Sequence, residues 1–116
     1  DGNDVFVYQD LTDSLLSTGF DSIPDFNAND DKFLVSVVPT VFTDLGSVVR
    51  LTESAIARLL TEDNFGNIGD VAQFSFRQRT FIAINDDTPG FQANSDAMID
   101  VTGLVGTLNL SNFITT

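Results

Sequence analysis

Apolar residues in this chain fall into short runs broken by polar, Asp-rich and Gly-rich stretches, a spacing that predicts strands more often than helices. Val5 to Tyr8 joins β-branched and aromatic residues and reads as a short strand. Gln9 to Gly19, largely polar, reads as an irregular excursion. Ser22 to Phe26 reads as a second extended segment. Pro24 biases it toward a sheet edge or a bulge, because proline has no N–H to give to a ladder. Asn27-Ala28-Asn29-Asp30-Asp31 reads as a turn, and Lys32 to Val38 as a buried strand ended by Pro39. The clear helix is Thr52 to Thr61. Thr52 serves as N-cap, Glu53 suits the positive end of the helix dipole, and Ile56, Leu59 and Leu60 form one apolar stripe at i, i+3, i+4. Asp63, Asn64 and Gly66 stop it.

Val71 to Phe76 alternates apolar and polar residues, whereas Thr80 to Asn85 is apolar on both faces; the two predict a hairpin around Arg77-Gln78-Arg79. A loop from Asp86 to Asp96 leads to a strand from Ala97 to Thr102. Gly103 and Gly106 bracket Leu104 and Val105, and Leu108 to Ile114 packs the end. The expected fold is mainly β with one short α-helix. No internal repeat or linker interrupts residues 1–116, so a single unit is expected.

Charge narrows the partners. Seventeen Asp and Glu against five Lys and Arg leave a formal charge of −12, which argues against nucleic acid or anionic lipid. No apolar run approaches the ~20 residues of a membrane helix, so no membrane insertion is expected. Zero Cys and zero His remove thiol nucleophiles, Ser-His-Asp triads and His-held zinc. Paired carboxylates could perform glycosidic chemistry, but Glu53 and Glu62 sit on the helix, where solvation is the expected role. The reading is therefore a non-enzyme. Arg77 and Arg79 are expected to pair with nearby carboxylates.

Fifteen of the acids are Asp, the short carboxylate that suits loops and hard cations. The densest oxygen-rich stretch is Asn85-Asp86-Asp87 through Asp96, where carboxylates, amides and main-chain carbonyls share one loop. Asp4 and Asp21 are further candidates. Asn85, Asp86, Asp87, Asp96, Asp4 and Asp21 are thus the candidate ligands for Ca²⁺. The same side chains also suit solvated loops and hydrogen-bonded turns, and for Asp30 with Asp31 the turn is the reading.

Asp1-Gly2-Asn3-Asp4-Val5-Phe6 fills the last positions of the nonapeptide turn G-G-x-G-x-D-x-U-x, so residues 1–7 are expected to be the tail of a calcium-binding turn at the C-terminal end of a longer, repeat-bearing chain. Asp4 to Tyr8, Asp21 to Phe26 and Asp30 to Leu34 follow in the order D-x-F-x-F…D-x-I-x-D-F…x-D-K-I-D-L. In this they resemble the region directly after the RTX repeats of serralysin-like, type I-secreted proteins. Arg79 to Asp86, Gly90 to Ala93, Ser95 to Ala97 and Asp100 to Gly103 resemble the cyanobacterial bluetail C-terminal domain. The resemblance implies a calcium-dependent module, a β-sandwich or β-roll-capping domain with one short α-helix, that is extracellular or at the cell surface. Its partners would be the upstream RTX repeats and a type I secretion apparatus, with any activity residing upstream. Phe33-Leu34 replaces the usual I-D-L, and Leu108 to Thr116 lacks the acid that precedes the last apolar residues in serralysins. The alternative function is a surface interaction or assembly (adhesin-like) module capable of self-association.

Overall fold

Alternating and doubly apolar runs condense into two sheets and a helix. The computed structural model describes residues 4–8, 14–16, 19–37, 39, 41–86, 88–93 and 95–115. In chain order the strands are β1 (Val5–Tyr8), β2 (Asp21–Ser22), β3 (Lys32–Val35), β4 (Phe42–Ser47), β5 (Val71–Phe76), β6 (Arg79–Ile84), β7 (Ala97–Asp100) and β8 (Phe113–Ile114). A single α-helix among the described residues, α1 (Glu53–Leu59), lies between β4 and β5. Strands β1, β3 and β8 form a wholly parallel sheet with β3 in the middle, and β2-β7-β6-β5-β4 form a mixed sheet.

The mixed sheet is buried on both faces, which explains why β6 is apolar throughout. One face packs Val71, Ile82, Ile84, Ala97 and Ile99 against Tyr8, Phe33, Val35 and Phe113 of the parallel sheet. The other sets Ala72, Phe74, Phe81, Ala83 and Met98 under Ile56 and Leu60 of the α1 segment and under Phe65 and Phe91. The fold is thus a mainly β sandwich with a helix on its outer side. Three phenylalanines form its inner spine: Phe26 stacks on Phe33 at 4.5 Å and Phe33 on Phe113 at 5.2 Å. The last of these contacts follows from register, because Phe33 and Phe113 are paired residues.

Several expectations hold in detail. β1 occupies the expected four residues, and Thr52 caps α1 by accepting the Ala55 N–H. Asn64 ends the helix by giving its amide to the Leu59 carbonyl at 3.1 Å. The β5–β6 hairpin turns on Arg77 and Gln78, with Arg77 at φ 56. Other segments are shorter than expected. Pairing at β2 stops after Ser22, with one further bond from the Ile23 N–H to Asp100, because Pro24 offers no donor. β2 is an edge strand, as Pro24 suggested. β3 ends at Val35 and β7 at Asp100. The chain then doubles back at Gly103 (φ +96), where a Cβ would stand 2.4 Å from the Pro24 carbonyl oxygen. β4 was not foreseen: its Phe-Thr-Asp-Leu-Gly-Ser run lacks alternation, and it exists through parallel pairing with β5. Among the described residues no helix is long and apolar enough to cross a membrane.

Candidate functional site

Strand register builds the site. Val71 pairs with Ile84 and Ile84 with Ala97, so the residues one step beyond, Asp70, Asn85 and Asp96, form a row across one end of the mixed sheet. By alternation their side chains take the helix-side face. All three are buried. The Asn85 N–H donates to the Asp70 carbonyl at 2.9 Å, and the Gly69 N–H to the Asn85 carbonyl at 2.9 Å. The Asn85 amide nitrogen donates to the carbonyls of Phe65 and Asn67, both at 3.0 Å, while Asp70 Oδ2 accepts the Asn67 N–H at 2.9 Å. The two side chains therefore both hold Asn67, Asp70 at its N–H and Asn85 at its carbonyl. Their other oxygens, Asp70 Oδ1 and Asn85 Oδ1, are buried with no hydrogen-bond partner, as is Gln92 Oε1. A buried oxygen without a donor is costly, which makes such atoms candidates for a bound water or cation.

Asp96 organises the adjoining loop. Its Oδ1 accepts the Asp86 N–H at 2.8 Å and its Oδ2 the Gln92 N–H at 2.7 Å. Burial pushes the Asp96 carboxyl up to about 8. The two N–H donors oppose that rise, and the neighbouring Asp86 carboxylate adds to it. Asp86 moves the other way: burial would raise it, but the Thr88 N–H and the Ser95 and Asp96 side chains hold it below the usual carboxylate range. Asp96 thus keeps its proton and Asp86 its charge. Glu53 locks the loop to the helix, since its Oε2 accepts the Ala93 N–H at 2.7 Å. Glu53 is exposed on the helix, as expected, and in addition ties the two elements together.

The six candidate ligands fall in separate places. Asn85, Asp86 and Asp96 come together; Asp87 lies outside the described residues. Asp4 sits far along the chain beside Asp31, whose Oδ1 accepts the Asp4 N–H at 2.9 Å. Asp21 is an exposed strand residue whose Oδ2 accepts the Tyr8 hydroxyl at 3.0 Å. Among the described residues no three acidic side chains converge to hold a metal ion. The donors at the sheet end, carboxylate and amide oxygens with main-chain carbonyls, are of the kind that Ca²⁺ takes, and the unpartnered Asp70 and Asn85 oxygens fit that role. Asp70 was missed by the sequence reading. One signal could have found it: Asp31, Asp70 and Asp96 each stand immediately before a strand.

Arg79 pairs with a carboxylate as expected, placing Nη2 2.7 Å from Asp100 Oδ2, whereas Arg77 lies over the Phe76 ring. Burial would raise the Asp100 carboxyl, but the Thr102 hydroxyl and Arg79 hold it below its ordinary value. The family model described as "Peptidase M10 serralysin C terminal" matches residues 1–115. No curated protein and no solved structure matches the chain.

Proposed function

The chain belongs to the peptidase M10 serralysin C-terminal family, and on that premise we propose that it is the non-enzymatic C-terminal module of a secreted, RTX-type protein. In this reading it caps the β-roll formed by upstream RTX repeats, supports type I export, and completes its folding outside the cell with calcium. The resemblance of Arg79 to Asp86, Gly90 to Ala93, Ser95 to Ala97 and Asp100 to Gly103 to the cyanobacterial bluetail domain supports this reading. Calcium would be held at the sheet end by Asp70 and Asn85, with Asp86 and Asp96 alongside, and Asp87 is kept as a candidate from the sequence. Asp4, at the foot of β1, would serve a separate turn completed by preceding residues.

The observation that carries the capping role is the pair of bare valines on β1. Val5 and Val7 are 52% and 57% exposed on a strand that pairs in parallel with β3. Exposed apolar side chains on such a strand offer a surface for a further stacked coil to cover, which upstream repeats supply. Fusing upstream repeats to the chain tests this. Val5→Lys with Val7→Lys should abolish the calcium-induced folding of the repeats while leaving the melt of the chain itself unchanged. Equal folding of the repeats behind the altered strand overturns the capping role. Transporter-dependent export of a passenger carrying the chain tests the secretion role. Concentration-dependent self-association through the same valines would instead favour the surface-assembly reading.

A further inference from the structure

Three of the chain's five cationic side chains are occupied within the fold. Arg79 pairs with Asp100 and lies over the Phe20 and Phe81 rings; Lys32 donates to the Ser111 carbonyl at 3.1 Å; Arg77 lies 5.1 Å from the centroid of Phe76. Arg50 and Arg58 are different. Among the described residues neither makes an ion pair, a hydrogen bond or a ring contact, although the chain carries seventeen carboxylates. Both line one groove of about 580 Å³, beside Val49, Thr52, Ser54 and Ala55. Glu53, three residues from Arg50, is committed elsewhere through its bond to the Ala93 N–H, and Glu62, four residues beyond Arg58, makes no ion pair with it.

Two permanently charged guanidiniums on one groove wall repel each other, and a chain this rich in Asp has ample means to neutralise them. Leaving them bare prepares the groove for an outside carboxylate, which a guanidinium binds through paired N–H donors. Val49, 87% exposed, supplies an apolar contact at the same place. The groove's volume lies in the range of ligand sites. The net charge of −12 selects among anions. A long polyanion such as nucleic acid would run over acidic surface beyond the groove and be repelled. A short segment feels mainly the charges within about 8 Å, the screening length at physiological salt.

We propose that this groove binds an acidic peptide segment, with Arg50 and Arg58 each taking one carboxylate and Val49 packing against the stem between them. The site is separate from the bare valines of β1 and from the oxygen-rich sheet end. Fluorescence anisotropy with the 116-residue chain tests it, using a labelled eight-residue peptide that carries two glutamates and a twin with glutamines in their place. The glutamate peptide should bind, the glutamine twin should not, and added NaCl should weaken the complex. Arg50→Gln with Arg58→Gln should weaken binding about tenfold at an unchanged melting temperature. If the double variant melts lower, each single variant, at an exposed position, must still weaken binding. Absence of binding to the intact chain, or equal binding by the variants, overturns the proposal. Displacement by inorganic phosphate at concentrations as low as the peptide's own does so too, because it marks a site for free oxyanions.

Discussion

Asp31 and Asp96 close the same turn in two parts of the molecule, yet their carboxyl groups titrate in opposite directions. In each turn the Asp N–H returns to the carbonyl four residues back, Asn27 at 2.7 Å or Gln92 at 3.0 Å. In each, Oδ2 accepts the N–H of that same residue, at 2.8 and 2.7 Å. In each, Oδ1 accepts an N–H from beside a neighbouring strand, Asp4 at 2.9 Å or Asp86 at 2.8 Å. A strand, β3 or β7, begins at the next residue. At Asp31, burial works to raise the carboxyl, but the Asn27 and Asp4 donors overcome it and hold the group below its usual value. Both carboxyls are buried, but at Asp96 the loss of water is the larger effect, the Asp86 carboxylate adds to it, and the same pair of donors does not prevail. Identical hydrogen bonds therefore leave the charge undecided; desolvation and neighbouring charge decide it.

The comparison breaks most visibly with pH. Asp96 is raised to about 8 in the fold, so between about pH 4 and pH 8 the folded chain binds the extra proton and stability falls as pH rises, by roughly 1 kcal/mol per pH unit at the steepest. Asp96→Asn should flatten that slope in urea denaturation measured across the window. Asp31, lowered in the fold, contributes stability above its unfolded value near 4 that is lost on further acidification, so Asp31→Asn should change the pH dependence on the acid limb and also lower stability at neutral pH, because the amide offers one acceptor to two N–H donors. A slope that survives in Asp96→Asn would assign it to another group.

Asp31→Ala comes next in size. It strands the N–H groups of Asp4 and Asn27 and should cost about 2–4 kcal/mol at pH 7. Asp96→Ala should cost less at pH 8, since it also relieves the burial of a charge. Equal losses at the two sites would erase the distinction between the turns.

Calcium sharpens the comparison further. A ligand bound only by the fold adds about 2.7 kcal/mol at a hundredfold excess over its dissociation constant. Melts in millimolar calcium should therefore exceed those in chelator for the parent chain and for Asp31→Asn. Asn85→Ala should lose the difference. Coincident melts of the parent chain in the two buffers would remove calcium from the account.

Glu53→Ala gives the smallest effect. Asp96's turn is tied to α1 by the Ala93 N–H bond, a tie with no counterpart at Asp31. Its loss should cost about 1 kcal/mol and raise amide exchange at Ala93 while leaving the Asn27–Asp31 turn protected. Faster exchange at both turns would show that the tie is not local.

Much of this was legible in the residues themselves, because it depends on short range. β1, the Thr52 cap, the Ile56–Leu60 stripe, the β5–β6 hairpin and the loop after Asn85 follow from alternation, capping and turn chemistry within a few positions. The doubly apolar run of β6 already called for cover on both faces. The rest depends on partners remote in sequence. β4 carries no pattern of its own and owes its place to β5. Asp31 reads as one more loop acid until Asp4 is brought beside it across 27 residues. Asp70 joins Asn85 and Asp96 through strand register alone. Periodicity and capping are local and so are written in the chain. Burial, register and the company a charge keeps exist only once distant segments meet, and those settled which of the described aspartates would be hydrogen-bonded in turns, paired or protonated.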